Sequence, residues 1–302
     1  MLKRLFPEEK ATIVLFIAAI AMNVHFGVPL IGNSREYVTF LFGLVLPAFA
    51  IMILVGYLVY RYVSGQNSHG IDLTLLLRVI ATVFVGFIAF SRMKSLIPLV
   101  NGHLYDDIFS KIDIWLFLGH SPTLALLNIK ATWFIKATYF AYTGFYALFP
   151  LVFMFAFVVR DTVLVRRLVA GMLAVNVIGL LLYYLLPSMG PLFTSPELFA
   201  HIPNKWAKVL MDGFIAVKAD PSTFLASPHM GIAAFPSLHA AQFTFFGWMS
   251  ARRFKWTAYF IIPWGVLLYI ATVYMGWHYV IDLVAGAGIA MVAVGIVKRI
   301  RG

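Results

Sequence analysis

Two histidines and one aspartate are spaced so that they could act on the same substrate. His239 follows Pro236 and Ser237 in the stretch Phe-Pro-Ser-Leu-His, and His278 precedes Asp282 by four residues. On a helix, residues four apart share a face. The carboxylate can therefore accept the Nδ1–H of His278, which fixes the tautomer of the imidazole and leaves Nε2 free. The spacing predicts a nucleophilic or basic histidine with an orienting acid.

The residues before His239 predict the start of a helix. Proline is favoured in the first helical turn, and serine near the N-cap. One oriented imidazole can attack phosphorus while a second donates a proton to the leaving oxygen. The helix N-termini near Ser237 and His278 would offer N–H groups to an anion. Taken separately, the two motifs also fit an ordinary helix start and an interfacial histidine with a local partner.

The elements that position these side chains are predicted to be membrane helices. The chain has 302 residues, of which 62% are hydrophobic and only 12% charged, whereas soluble domains carry about 25% charged residues. A transmembrane helix needs about 20 mostly apolar residues. We therefore predict an all-α polytopic membrane protein. Its eight predicted spans cover roughly 11–30, 37–60, 73–90, 132–158, 166–187, 235–252, 256–276 and 278–298. Residues 112–119 are apolar but short, and predict an interfacial segment.

The distribution of charge predicts the orientation in the membrane. Lysines and arginines cluster in the termini and in short loops beside the spans, whereas the long loops 91–131 and 188–234 hold six of the twelve acidic residues. The positive-inside rule then places both termini in the cytoplasm of a plasma or inner membrane, with His239 and His278 on the extracytoplasmic face. The net charge of +11 reflects this topology rather than nucleic-acid binding. The absence of cysteine excludes disulfides and thiolate chemistry.

Four stretches resemble one known group of enzymes. Phe235-Pro-Ser-Leu-His-Ala and Trp277-His-Tyr-Val-Ile-Asp-Leu resemble the second and third motifs of the type 2 phosphatidic acid phosphatase superfamily. Pro-Ser-Leu-His is the usual form in its inositol phosphorylceramide synthase branch, and the His-Tyr motif is also similar to sphingomyelin synthases. Tyr184–Pro191 and Ile112–Pro122 resemble that branch as well. The resemblance covers about residues 105–298.

This resemblance implies a core of six helices and phosphoryl transfer through a phosphohistidine, with no metal and no cofactor. It makes His278 the nucleophile, Asp282 its orienting acid and His239 the proton donor to the leaving group. Ser237 would lie against the phosphate. The other substrate-binding residues implied are Pro187 and Gly190. The catalytic membrane domain is predicted to span residues 73–302, preceded by N-terminal transmembrane helices in residues 1–72.

The chain departs from the phosphatase pattern in three respects. Leu238 replaces a glycine, Thr272 stands where the third motif has an arginine, and the first motif, a lysine followed seven residues later by Arg-Pro, is absent. These departures suit the synthase branch, but another cation must then balance the phosphate charge. Arg78, inside the third span, is one substrate-binding candidate, although it could equally pair helices or snorkel. Further candidates, each of which could be ordinary loop charge, are Arg92, Lys94, Lys205 and Lys208.

The favoured function is a lipid phosphotransferase that moves a phosphate-bearing head group from a phospholipid to a lipid alcohol. A lipid phosphate phosphatase, with water as acceptor, is the alternative on the same scaffold. The bulky Leu238 favours the transferase. A third class is a transporter or scaffold without catalysis. The His239, His278 and Asp282 set disfavours it, as does the lack of the broken helices typical of transporters. The expected partners are the bilayer and its lipids.

Overall fold

A computed structural model describes residues 5–28, 58, 73–202 and 233–300. Within these ranges the backbone forms eleven α-helices, two 3-10 turns and no strand. The 3-10 turns cover Pro196–Phe199 and Lys255–Thr257. The helices, numbered along the described part of the chain, are α1 (Pro7–His25), α2 (Leu73–Ser95), α3 (Ile97–Val100), α4 (Asp106–Leu116), α5 (Pro122–Leu127), α6 (Thr132–Val158), α7 (Thr162–Leu185), α8 (Pro191–Thr194), α9 (Leu238–Arg253), α10 (Ala258–Tyr274) and α11 (Val280–Val297).

Five of the described helices are long and apolar enough to cross a membrane, namely α2, α6, α7, α11 and α10 together with the 3-10 turn before it. The all-α membrane prediction is confirmed at this level. Helix α9 has 16 residues and is about 24 Å long, less than the hydrocarbon core of about 30 Å. The predicted span 37–60 lies outside the described residues except for Leu58. The count of eight spans and the six-helix core therefore stay predictions.

Helix α4 is short and has two different faces. Its 11 residues extend for only about 16 Å, too little to span a bilayer. Asp106, Phe109 and Asp113 are buried on one side, whereas Trp115 is 76% exposed and Leu118, just beyond the helix, is 90% exposed. Residues 112–119 therefore include the end of this short helix, and their interfacial position stays a prediction.

The core lies between α6, α7, α9 and α11. Phe245 and Phe246 of α9 are fully buried and pack with Leu168 of α7 and Ala293 of α11. Lipid tails are as apolar as these side chains, so within a membrane they stabilise the fold by close van der Waals packing rather than by removal from water. This cluster holds α9 and α11, which carry the two histidine motifs, against each other and against α7.

Ion pairs join the helices at one end of the bundle. Arg166 of α7 bonds to Glu8 at 2.8 Å, and Arg78 of α2 bonds to Glu9 at 2.6 Å. Both guanidinium groups also lie over the ring of Phe6, at 4.1 and 4.0 Å. We call this the arginine end, and the opposite end, which carries the histidine motifs, the histidine end.

Candidate active site

His278 lies in the short connection between α10 and α11 and is 4% exposed. Its Nδ1 is 3.0 Å from the carbonyl oxygen of Ala234 and 3.4 Å from a carboxylate oxygen of Asp282. A carbonyl oxygen can only accept, so Nδ1 carries the proton and Nε2 keeps its lone pair. The tautomer is the one that the spacing predicts, but the closer partner is a backbone carbonyl 44 positions away and not the aspartate.

Burial lowers the pKa of His278 to about 3, against the opposing effect of the Ala234 hydrogen bond, and the positive charge of Lys94 lowers it further. The imidazole is therefore neutral at pH 7. A neutral imidazole with its proton on Nδ1 is the form that can attack through Nε2.

Asp282 is fully buried. One of its carboxylate oxygens accepts the Tyr279 N–H at 2.9 Å, whereas the other has no hydrogen-bond partner among the described residues. Its backbone carbonyl accepts the Ser237 N–H at 3.0 Å. Asp282 thus lies in the first turn of α11, next to His278, and its backbone bonds α11 to the motif that precedes α9.

His239 lies in the first turn of α9, which begins after the predicted serine cap, whereas Pro236 precedes the cap instead of standing in the first turn. The Ser237 hydroxyl accepts the Ala240 N–H at 3.2 Å and acts as the N-cap. Nδ1 of His239 is 3.5 Å from Nε2 of His278. The structure therefore brings His239, His278 and Asp282 into one cluster, while their roles stay predictions.

Aromatic side chains from α6 and from the His278 connection surround the other side of His239. The ring of Tyr142 is 4.9 Å from that of His239, and the ring of Phe145 is 4.8 Å away. Trp277 stacks on Tyr142, with centroids 6.0 Å apart and nearly parallel planes. These side chains restrict water around one of the two imidazoles.

A glycine allows α9 and α11 to approach closely at this cluster. A Cβ on Gly286 of α11 would lie 2.3 Å from the Ser237 carbonyl oxygen and 3.1 Å from the Cβ of Ala240. Real side chains do not tolerate such distances, so any larger residue at this position would push the two helices apart. The close approach is what keeps the His239 ring within reach of His278.

Pro187 and Gly190, predicted to bind substrate, lie in the loop after α7 and have backbone roles in the described structure. The Pro187 carbonyl accepts the Tyr105 N–H at 2.9 Å. Gly190 has a φ of +92°, and a Cβ there would lie 2.6 Å from the Trp277 carbonyl oxygen. Only glycine fits both conditions. Substrate contact by either residue stays a prediction.

The same loop supports the carbonyl that orients His278. Ser188 accepts the Ala234 N–H with its backbone oxygen at 2.9 Å and the Phe235 N–H with its hydroxyl, also at 2.9 Å. Ala234 is thereby fixed against the loop, with its own carbonyl directed at His278. No sequence motif indicates this role, because it belongs to the backbone.

The prediction that the N-terminus of α11 is free for an anion is wrong. Asp113 of α4 accepts the Val280 N–H at 2.7 Å and the Ile281 N–H at 2.9 Å, and Asp282 takes the Tyr279 N–H. From the sequence alone, Asp113 only interrupted an apolar stretch. Its signal was an acid within the apolar stretch 112–119.

Asp106 supports the other side of the His278 connection. Its carboxylate accepts the N–H groups of Met189 at 3.0 Å and Gly190 at 2.8 Å, and the Tyr279 hydroxyl lies 3.3 Å away. Burial raises the pKa of Asp106 and of Asp113, although the N–H donors oppose the rise. Both carboxylates were missed as site residues.

Arg78 is not part of this cluster. It donates to both carboxylate oxygens of Glu9 at 2.6 Å at the arginine end. Lys94, on the same helix, lies 16 positions later, which is about 24 Å along the axis. Arg78 therefore has an acidic partner at the opposite end of the bundle, and its binding of phosphate stays a prediction that this contact does not favour.

Lys94 is a cation at the histidine end. Its ammonium lies 5.6 Å from the centroid of the Tyr183 ring, and Tyr183 packs in a cluster with Ala233 and Leu238, next to the His239 motif. The ion pairs of the described residues do not include Lys94. Of the other candidate cations, Lys205 and Lys208 lie outside the described residues.

Comparison with known proteins adds one finding. The sequence model of a family described as the PAP2 superfamily matches residues 107–296, more than half of the chain. The matched part contains Asp113, His239, His278 and Asp282. No curated protein and no solved structure matches the chain.

Proposed function

The chain belongs to the PAP2 superfamily, and from that premise we propose that it is a membrane-embedded lipid phosphotransferase. Members of this superfamily are generally phosphatases or phosphotransferases. In our proposal, a phosphate-bearing group leaves a phospholipid and passes to the hydroxyl of an acceptor lipid. The observation that carries the proposal is the buried neutral His278, whose Nδ1 is held by Ala234 and whose Nε2 points to His239.

The first half of the reaction forms a phosphohistidine. The lone pair of His278 Nε2 attacks phosphorus, and the bond from phosphorus to the leaving oxygen of the donor lipid breaks. His239 gives its proton to that oxygen. In the second half, the acceptor hydroxyl attacks phosphorus, the P–N bond breaks, and the hydroxyl proton returns to His239. This division into two steps is the usual gain from nucleophilic catalysis.

The two imidazoles must separate for this reaction. In-line attack puts phosphorus about 3 Å from the nucleophile, and the general acid about 3 Å from the leaving oxygen, so the two nitrogens need to be at least about 6 Å apart. They are 3.5 Å apart in the described structure. His278 is held by Ala234 and Asp282, whereas His239 is half-buried beside aromatic rings. We therefore expect the His239 ring to move.

Two features balance the phosphate charge in our proposal. The first is the ammonium of Lys94, which has no acidic partner among the described ion pairs. The second is the N-terminal turn of α9, since helix N-termini attract anions and that of α11 is already occupied by Asp113. Together they take the place of the missing phosphatase motifs.

The aromatic surroundings of His239 support an alcohol rather than water as acceptor. Tyr142, Phe145 and Trp277 form a wall that suits the apolar part of a lipid and restricts water. Leu238 does not line this wall. Its side chain packs toward α7, where a Cβ on Gly179 would come within 2.5 Å of it. The preference for a lipid acceptor therefore rests on the aromatic side chains rather than on Leu238.

We further propose that the histidine end faces the extracytoplasmic side and that both termini are cytoplasmic. Helix α9 runs from His239 to Arg253, a separation of about 21 Å along its axis. Arg253 pairs with Asp161 at the arginine end, beside the other basic residues of the short loops. The two ends of the bundle therefore differ in charge as the positive-inside rule requires.

The test is a transfer assay with purified protein in detergent or vesicles. A phospholipid labelled in its phosphate is supplied with and without ceramide or diacylglycerol. We expect the label to appear in a new lipid only when the lipid alcohol is present. Free phosphate released from phosphatidic acid, independent of lipid alcohol, would instead identify a phosphatase. Absence of both products across these donors would refute the enzymatic proposal.

A further inference from the structure

Helix α4 touches both histidine motifs from outside the membrane-spanning core. Its buried face carries Asp106, Phe109 and Asp113. Phe109 stacks on Phe235, directly before the Pro-Ser motif, with ring centroids 4.3 Å apart. Asp113 lies seven positions after Asp106, which is about two helical turns, so the two carboxylates lie on the same face. One short helix therefore reaches the backbone on both sides of the catalytic cluster.

The contact of Asp113 with α11 is bidentate. One carboxylate oxygen takes the Val280 N–H and the other takes the Ile281 N–H, while the side chain is only 2% exposed. These are the first two residues of the helix that follows His278. Charge-assisted bonds of this type are short and directional, so they fix the position of the donors.

The two carboxylates at this helix start bond different N–H groups. Asp282 already accepts the Tyr279 N–H from within α11, and it also stands beside His278. Asp113 comes from 167 positions away in the chain and takes the two N–H groups that would otherwise attract the phosphate of a substrate. The N-terminus of α11 is therefore filled by side chains of the protein itself.

We infer that Asp113 is a positioning residue for the phosphoryl transfer, an inference that rests on the proposed function. It acts in two ways. It holds Val280 and Ile281, and hence the His278 backbone, so that Nε2 keeps its direction toward His239. It also fills the N-terminus of α11, which confines the phosphate to the side of His239 and Lys94.

A purely structural cap makes a different prediction, and the chain offers a matched control. Asp161 is the N-cap of α7, where its carboxylate accepts the Leu164 N–H at 2.9 Å at the arginine end. Asp113→Asn and Asp161→Asn each remove one carboxylate from a helix start. A structural role would give the two variants similar losses of thermal stability and no specific loss of kcat.

The first measurement is steady-state transfer. We expect Asp113→Asn to lower kcat about tenfold or more with little change in KM, because supporting residues of a reactive group typically contribute about 10- to 100-fold. Asp161→Asn should keep kcat within about twofold of the original chain. Equal kcat values in the two variants would overturn the inference.

The second measurement does not depend on the lipid reaction. Phosphoramidate, a small phosphoryl donor, phosphorylates imidazole directly, and mass spectrometry reports the modification of the peptide that contains His278. We expect labelling at least about fivefold slower in Asp113→Asn than in the original chain or in Asp161→Asn. If lipid transfer is absent but this order holds, the proposed function fails and the positioning role stands. Equal labelling rates overturn the positioning role even where transfer is intact.

Asp113→Glu serves where Asp113→Asn fails to fold. It keeps the charge but adds one methylene, so the carboxylate cannot bond both N–H groups in the same position. A positioning role requires slower labelling of His278 in this variant than in Asp107→Glu, a change at the exposed neighbour on the same helix. Equal labelling of the two glutamate variants would overturn the inference.

Discussion

The two ends of the helix bundle use the same kind of side chain in opposite ways. At the arginine end, three carboxylates face guanidinium groups, in the pairs Glu8–Arg166, Glu9–Arg78 and Asp161–Arg253. At the histidine end, three buried carboxylates accept backbone N–H groups instead. These are Asp106, Asp113 and Asp282.

The difference shows how a site for an anion can be built from acids. A carboxylate paired with an arginine neutralises that arginine, and the cation is no longer available to a ligand. A carboxylate bonded to the backbone does not neutralise a side-chain cation, and the ion pairs among the described residues do not include Lys94 at the histidine end. The first arrangement stabilises helix packing, whereas the second holds a loop in place and, in our proposal, keeps positive charge for a phosphate.

The largest expected effect is the loss of the nucleophile at the histidine end. We expect His278→Ala to lower kcat by at least about 10³-fold, because its nitrogen forms the covalent bond. The variant should also accumulate no phosphoenzyme in rapid-quench experiments with labelled phospholipid. His25→Ala, a change at the end of α1, is the control. Full turnover by His278→Ala would remove the histidine end from the mechanism.

The next effect concerns the general acid. We expect His239→Ala to lower kcat with phospholipids by about 10²- to 10⁴-fold. A donor with a nitrophenol leaving group needs no proton, so the same variant should retain most of its activity on that donor. Turnover numbers for the two donors provide the measurement. An equal loss on both would show that His239 does something other than protonate the leaving group.

The sequence predicts much of the histidine end, for physical reasons that can be stated. Span lengths and the distribution of basic residues predict His239 and His278 at the same membrane face, and the spacing of four predicts Asp282 next to His278, where the structure has it at 3.4 Å. The N-cap at Ser237 was predictable because it is a local preference. Each of these features depends on residues close in sequence or on the bilayer.

The remaining contacts are long-range, and no local pattern encodes them. The Ala234 carbonyl is a backbone group that reaches His278 only after the chain has crossed and returned. Asp113 meets α11 from 167 positions away. Arg78 meets its partner Glu9 from 69 positions away. Motifs thus predict which side chains react, while tertiary contacts decide what holds them.

An intermediate effect separates Lys94 from Arg78, two of the three cationic residues of α2. We expect Lys94→Met to raise the KM for anionic lipids by about 10- to 100-fold, because a hydrogen bond to a charged group typically contributes about 1.5–3 kcal/mol. Its thermal unfolding midpoint in detergent should change little. An unchanged KM would show that the phosphate is balanced by another group.

Arg78→Met is the matched change at the other end of the same helix. Here we expect an unchanged KM and a lower unfolding midpoint, because Glu9 would keep its buried carboxylate without the guanidinium. The comparison fails if Arg78→Met raises KM or if Lys94→Met lowers stability as much as Arg78→Met does.

The smallest effect is a difference in acid sensitivity between the two ends. The hydrogen bond from Arg78 lowers the pKa of Glu9 in the folded protein below its usual value of 4.5. The stability that this pair contributes is therefore fully present above pH 4.5, and it is lost as the pH falls through the folded-state pKa of Glu9. Burial raises the pKa of Asp113 above 3.8, so this carboxylate takes up its proton first on acidification. A protonated Asp113 holds the N–H groups of α11 less strongly, while His278, with a pKa of about 3, stays neutral.

As the pH is lowered from 7 through the acidic range, we therefore expect kcat to fall reversibly at a higher pH than the one at which the unfolding midpoint falls. Stopped assays and thermal unfolding on the same samples provide the measurement. Asp113→Asn cannot titrate at this position, and it should show a weaker dependence of kcat on pH over that range. If activity and stability decline together, the two ends are not independent, because loss of the arginine-end ion pairs would then account for both.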